Sequence, residues 1–445
     1  MTQPGLRMSQ LVAYGLVAVP LAIAGLPLAI YVPPFYASDV GIELAMVGVV
    51  LMLARVTDVI VDPLIGTLSD RWRTPFGRRR PWLVVGAIVM MIGAWKLFVP
   101  PPGVGAVYLL VWVFTLYLGW SLVSIPHFAW GAELSTDYHV RSRITGAREM
   151  CMVFGLILAA IVPYAIGLGG GSGLGPGMRA LATLTVVLFP IVLALVLTVV
   201  PEPPPVEATR RLAWREGLAI VWQNGPFKRL LLASVIGGFG TSINQSLAVL
   251  FYVHRLGLRE SAAGFILLYF IAGILAVPFW VAVSKRLTKH RTLVVASLWA
   301  CSCFLLAPFL PPGRILPVAL LNVMAGLSMA VPQVLGGSMA ADVVDLDTLE
   351  SGEGRAALFF ALWSMGTKLA LALGVGVGLP VLALFGFDPK AANGPSEIAA
   401  LTTLYCIVPV GLWLLALVPI WHFPITPARH AELREALLAR RAEVA

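Results

Sequence analysis

Runs of about 20 apolar residues recur from one end of the chain to the other, separated by short polar stretches. A helix rising about 1.5 Å per residue needs roughly 20 such residues to cross the hydrocarbon of a bilayer. In the first half the runs lie near 11–36, 44–69, 82–99, 106–132, 147–167 and 180–200. In the second half they lie near 230–253, 262–284, 292–310, 314–340, 356–384 and 401–422. Between the two sets, residues 201–229 open with PEPPPVEATRRLAWREG, whose prolines and charges interrupt the apolar pattern as a linker does. The pattern predicts an all-α membrane protein of twelve transmembrane helices in two six-helix bundles. Residues 1–200 form the N-terminal bundle, 201–229 a cytoplasmic linker, 230–427 the C-terminal bundle and 428–445 a cytoplasmic tail.

Composition sharpens this picture. Of the 445 residues 59% are hydrophobic and 12% charged, against about 25% charged in a typical soluble domain. The apolar runs leave no stretch for a separate soluble domain, so the bilayer is the surrounding partner. A net charge of +9 raises the question of a nucleic-acid partner, but the basic residues sit in short loops, where insertion topology accounts for them. Of the 31 Lys and Arg, 23 fall on one side of the alternating spans and 6 on the other. This bias places both termini and the linker in the cytoplasm and suits a multi-pass protein of the bacterial inner membrane. Cys151, Cys301, Cys303 and Cys406 lie within apolar segments and read as small buried hydrophobes. The first apolar run follows Arg7, is too long for a signal-peptide core and reads as a retained helix.

The two remaining basic residues, Arg55 and Lys368, fall inside spans. Arg55, Asp58 and Asp62 are spaced i, i+3 and i+7, so they share one face of the second helix. Each charge costs roughly 2.5–3.5 kcal/mol at the bilayer centre, which directs them to the protein interior. Two carboxylates one turn apart repel each other, and a bound cation relieves the repulsion; the alternative is an ion-pair lock with Arg55. Lys368 stands in GTKLALALGVGVG, 13 residues past Arg355, about 20 Å along a helix and too deep to snorkel easily. Asp58 or Asp62 is its natural partner near the midplane.

The loop after the second helix, GTLSDRWRTPFGRRRP, places Gly66, Asp70, Arg71, Gly77, Arg78, Arg79 and Arg80 in a short basic stretch. Topology alone explains the arginines, while Asp70 beside them also suits a salt-bridge latch. The acidic stretch Asp342, Asp345, Asp347, Glu350 and Glu353 either pairs with basic loops on its side or forms a solvated face. Tyr14, Tyr31, Trp120, His127, Trp130, Asn244, Gln245, Gln333 and Trp363 offer aromatic platforms and polar handles for a solute cavity. A packed core or an interfacial aromatic belt accounts for the tryptophans equally well, and His127 beside Pro126 also suits capping of freed backbone.

The string LARVTDVIVDPLIGTLSDRWRTPFGRRRPW, with Arg55, Asp58, Asp62-Pro63, Gly66, Asp70, Gly77 and Arg80-Pro81, resembles the glycoside-pentoside-hexuronide:cation symporters of the major facilitator superfamily, the melibiose permease-like group. DVVDLDTLESGEGRAALFFALWSMGTK resembles the same family's loop before helix 11 and its embedded lysine, here Lys368. The resemblance implies the major facilitator superfamily fold and symport of a solute with H+ or Na+. It implies a cation site at Asp58 and Asp62, with an oxygen from Ser121 and with Lys368 linking cation to substrate. Arg148 in RITGAREM matches an arginine lining the family's sugar site. Relatives of the melibiose permease type hold sugar hydroxyls with aspartates on helices 1 and 4; here Ala22, Ile23 and Ser124 stand in those regions, and Val61 replaces a sodium-binding asparagine.

A sugar or glycoside is the solute the resemblance implies, and an amphipathic or lipid-like solute is the alternative. A membrane enzyme or a non-transporting sensor would need a catalytic cluster or an appended domain, and the sequence offers neither. The expectation is therefore a monomeric transporter that is not an enzyme, with no cofactor, no nucleic-acid partner and no metal other than Na+ at Asp58 and Asp62.

Overall fold

The structure, a computed structural model, describes residues 7–72, 74–135, 138–168, 173–202, 223–351 and 356–425. Among them, twelve helices are long and apolar enough to cross a membrane. They are α1 (Met8–Ile30), α2 (Leu44–Ser69), α3 (Arg80–Phe98), α4 (Ala106–Gly131), α5 (Arg143–Ile166) and α6 (Gly175–Val199). The second six are α7 (Gly225–Arg255), α8 (Ala262–Leu287), α9 (Lys289–Phe309), α10 (Ile315–Asp347), α11 (Leu358–Leu384) and α12 (Pro395–Trp421). No strand occurs among the described residues; the single β-bridge pairs Thr74 with Gly77. The chain is an integral, multi-pass, all-α membrane protein.

Every predicted span has its helix, and the differences in length have physical causes. The acidic stretch from Asp342 is helical rather than a loop, within a helix running Val331–Ser351. Leu335, Met339 and Val343, spaced four apart, are buried in a core with Phe227, Trp280 and Phe359. Their packing carries the helix through a stretch whose other face is acidic. The helix containing α5 begins at Tyr138, earlier than the apolar run, so Arg148 lies well inside it. Breaks interrupt several spans: α1 at Val17, α2 at Thr57 and α10 at residues 327–330. Pro63 on α2 and Pro126 on α4 sit within helices, where each removes one backbone donor.

Two compact units emerge. The first holds α1–α6 together with Gln245–Leu267 and Val375–Leu401. The second holds α7 as far as Asn244, Leu268–Gly374 and the chain from Thr402 onward. Within the first unit small residues bring helices into backbone contact, as membrane packing requires where lipid and side chains are equally apolar. A Cβ on Gly93 of α3 would sit 2.8 Å from the Leu116 nitrogen of α4, and one on Gly155 of α5 would sit 2.6 Å from the Val19 carbonyl of α1.

An internal repeat runs through the same unit. Gly48 of α2 meets Pro380 of α11, where an added Cβ would lie 2.7 Å from the ring. Gly264 of α8 meets Tyr164 of α5 in the same way, again at 2.7 Å. Gly264 follows Gly48 by 216 residues and Pro380 follows Tyr164 by 216. The wide π turns Phe35–Val40 and Phe251–Arg255 repeat at this offset too. Each begins Phe-Tyr and is followed by a glycine of positive φ, Gly41 at 97° and Gly257 at 68°.

Candidate functional site

The charged face of α2 is built at a break. Helical segments Leu44–Val56 and Asp58–Arg71 meet at Thr57, whose hydroxyl donates to the Ala54 carbonyl at 2.6 Å. Pro63 leaves the carbonyl four residues earlier, that of Val59, without its helical donor. Arg55, Asp58 and Asp62 flank this irregular turn. Asp58 is 5% exposed, and Ser121 of α4 donates its hydroxyl to Asp62 Oδ1 at 2.6 Å. The guanidinium of Arg55 lies over the Tyr117 ring, 5.3 Å from its centroid, a cation–π contact within the membrane. Its Nε is buried without a hydrogen-bond partner.

Tyr117, Ser121 and Ser124 are spaced i, i+4 and i+7, so one face of α4 meets the charged face of α2. Ser121 and Ser124 are both buried. Two carboxylates and a hydroxyl oxygen supply hard oxygen donors, the chemistry that suits a proton or Na+. Tyr117 escaped the sequence reading; its position four residues before Ser121 was the available signal.

A second group joins α1, α4 and α5. The Tyr14 hydroxyl donates to the His127 carbonyl at 3.0 Å, and His127 Nε2 donates to the Tyr14 carbonyl at 2.9 Å. Their rings stack at 4.2 Å. The acceptor carbonyl fixes the proton on Nε2, leaving Nδ1 a buried atom with no partner. Next to His127, Phe128 receives the Arg148 guanidinium over its ring at 4.2 Å. Arg148 also pairs with Glu149 at 2.6 Å, on a glutamate side chain that is 58% exposed. Trp120 packs against Gly25 of α1, where a Cβ would meet the indole at 2.5 Å.

Other cavity candidates have backbone partners or separate surroundings. Trp130 is fully buried and donates Nε1–H to the Pro201 carbonyl at 3.0 Å. Asn244 donates its amide to the Tyr405 carbonyl at 2.9 Å. Tyr31 is buried with its hydroxyl unpartnered. Gln333 is exposed and Gln245 half-buried, while Trp363 packs beside Gly336, where a Cβ would meet its ring at 3.3 Å. Lys368 is half-buried on α11. Lys368, Trp363, Gln333 and Asn244 belong to the second unit, Asp58, Asp62 and Gln245 to the first.

The basic loop after α2 forms a network within the first unit. Thr74 and Gly77 close a tight turn, and Gly77 has φ +110°. The backbone N–H groups of Arg78 and Arg79 both donate to Glu202 Oε1. The guanidinium groups of Arg78 and Arg79 each reach Glu133 Oε1 at 2.6 Å, and Arg79 also donates to Ser69 at 3.0 Å. Arg80 donates to the Val200 carbonyl at 3.0 Å. The arginines are thus held in an ion-pair network whose acids are Glu133 and Glu202, which the sequence did not single out. The Asp70 side chain lies outside what the structure describes, and Arg71 is exposed. Gly66 is not required by packing, since an added Cβ would meet only Ile125 at 3.8 Å. In the second unit Lys289 pairs with Asp342 at 2.6 Å, so part of the acidic stretch is a partnered face; Asp345 is exposed. The Glu350 side chain and Glu353 lie outside the described residues.

The comparisons with known proteins agree with this architecture. The sodium-dependent lysophosphatidylcholine symporter 1 of Xenopus tropicalis is 25% identical, over 91% of this chain and 83% of its own. The glucuronide carrier protein homolog of Escherichia coli is 26% identical, over 91% of this chain and 90% of its own. Among solved structures, a bacterial homolog of the human lysosomal transporter Spinster, in an inward-facing and unoccupied conformation, superposes with a TM-score of 0.64. It is 14% identical and covers 98% of this chain and 99% of its own, so the likeness is one of fold. Residues 13–427 match the MFS/sugar transport protein family, and the chain belongs to that family.

Proposed function

We propose that this protein is a cation:solute symporter in which H+ or Na+ binds at Asp58 and Asp62, with Ser121 supplying a third oxygen. The observation that carries the reading is the 2.6 Å bond from Ser121 to Asp62, beside the buried Asp58 and the broken turn at Thr57. The cation relieves the repulsion between the two carboxylates. That relief favours one of the two access states, and solute binding draws on the same equilibrium. Lys368 links the two events from the second unit. The two six-helix bundles on either side of the linker 201–229 are the moving parts. The protein acts as a monomer in a bacterial plasma membrane, with both termini in the cytoplasm as the 23-to-6 distribution of basic residues supports.

For the solute, the relatives' names suggest two chemistries: a glucuronide, a sugar bearing a carboxylate, and a lysophosphatidylcholine, an amphipath bearing a phosphate. Both carry an anionic group, and Arg148 above the Phe128 ring is a planar donor suited to one. A glycoside-like solute with such a group is the first reading. The apolar, enclosed α1, with Ala22 and Ile23 buried, favours a lipid-like body as the second.

The test is uptake into proteoliposomes under imposed H+ or Na+ gradients, with glucuronides, neutral glycosides and lysophospholipids as solutes. Asp58→Asn and Asp62→Asn are expected to abolish gradient-driven uptake while thermal unfolding shows intact protein. Coupled uptake at the parent rate in both variants would sink the cation-site assignment.

A further inference from the structure

On the first unit an open, shallow groove of about 530 Å³ runs along α6, with Val162 of α5 at its edge. It begins beside the point where the helices touch, Pro163 against Gly177, where a Cβ on the glycine would sit 3.0 Å from the proline. Its wall is aliphatic, with Val162, Ala180, Leu184 and Val187, and its charged lining residue is Arg179. Arg179 is exposed and, among the described residues, its guanidinium has neither ion pair nor hydrogen bond; only its carbonyl is engaged, by Thr183 at 2.9 Å. Asp39, the acid at this end of α6, is committed to the Leu174 N–H at 2.7 Å.

Geometry and charge together select an occupant. Arg179 lies one turn inside the start of α6 at Gly175, a depth at which its side chain reaches the headgroup level. From Arg179 to Val187 the groove follows α6 for about 12 Å into the apolar span. The aliphatic wall alone would not hold a lipid tail, because a tail leaves surroundings as apolar as those it joins. Discrimination therefore falls to the guanidinium, which pairs with phosphate oxygens and favours a headgroup whose phosphate charge is not offset by a cation such as choline. We propose that this groove is a binding site for one anionic phospholipid, its phosphate on Arg179 and one acyl chain along Leu184 and Val187. The site is separate from the cation and solute residues and does not depend on their assignment.

Native mass spectrometry of the purified full chain, titrated with phosphatidylglycerol or with phosphatidylcholine of the same acyl chains, tests this. The expected result is a preference for phosphatidylglycerol of roughly fivefold, the ratio that about 1 kcal/mol per basic residue at a membrane surface gives. Arg179→Gln is expected to remove the preference and Arg179→Lys to keep most of it. Ala180→Trp fills the groove while leaving the charge, and is expected to lose the bound lipid. Equal binding of the two lipids by the parent overturns the proposal. An unchanged preference in either Arg179→Gln or Ala180→Trp does the same, whichever of the two variants is recovered folded.

Discussion

Gly77 holds φ at +110°, and a Cβ there would fall within the Glu202 carboxylate. Gly77→Ala therefore combines backbone strain with displacement of the acceptor for the Arg78 and Arg79 N–H groups. A loss of about 1–3 kcal/mol is expected, read as a lower thermal midpoint in detergent. Ser121→Ala belongs to the same scale but acts on function. It removes the donor to Asp62 and one oxygen from the cation site, and the half-saturating coupling-ion concentration should rise about tenfold, as a charged hydrogen bond of roughly 1.5 kcal/mol implies. An unchanged ion dependence would place the cation elsewhere. Sequence made Asp58, Asp62 and Ser121 legible, because spacing puts the acids on one face and the family likeness supplies the hydroxyl. Glu133 and Glu202 were not legible: they meet Arg79 from 54 and 123 residues away, and a run of three arginines gives no sign that Arg79 is the buried one, 2% exposed. His127, Trp130 and Asn244 carry backbone contacts that sequence does not announce. Each commits one side-chain nitrogen to a backbone carbonyl.

Among the elements, the twelve spans were readable because run length alone decides whether a helix crosses a membrane. The acidic end of α10 was not, since its helix is sustained by the buried positions Leu335, Met339 and Val343 and not by composition. The internal repeat also escaped notice, although Phe35-Tyr36 and Phe251-Tyr252 announce it at equal offset. Its mechanical consequence is the pair of close crossings, α2 on α11 at Gly48 and α8 on α5 at Gly264. Gly376 of α11 packs on Met52 of α2 and extends the first crossing, and Lys390 donates to the Gly41 carbonyl at 3.1 Å beyond it. Bulk at either crossing should hold that end of the molecule open. Overpacking costs about 1–3 kcal/mol, enough to shift a two-state population about five- to 150-fold. In Gly48→Leu, and separately in Gly264→Leu, a cysteine replacing the buried Leu379 should react with a membrane-impermeant maleimide far faster than in the Gly48, Gly264 parent. Equal labelling rates would mean that these contacts do not close an access path.

At the scale of the molecule, the compact units do not divide along single helices. α7 passes from one unit to the other between Asn244 and Gln245, and α11 does so between Gly374 and Val375. α11 thus carries Lys368 in the second unit and Pro380, the partner of Gly48, in the first. α2 likewise carries Gly48 near one end and the acids Asp58 and Asp62 beyond its break. The crossing residues therefore lie on the same two spans, α2 and α11, as the proposed ion site and Lys368, which is the arrangement a coupled carrier requires if ion binding is to bias access. Lys368→Ala tests that link without touching either crossing. Solute equilibration down its own gradient should continue, because the helices can still exchange between access states. Accumulation against a gradient should fall at least about tenfold, corresponding to about 1.4 kcal/mol of lost coupling free energy. Counterflow and gradient-driven uptake, measured on the same vesicles, separate the two. If both fall together, Lys368 serves solute binding or folding alone; if neither falls, coupling runs through other residues of α11.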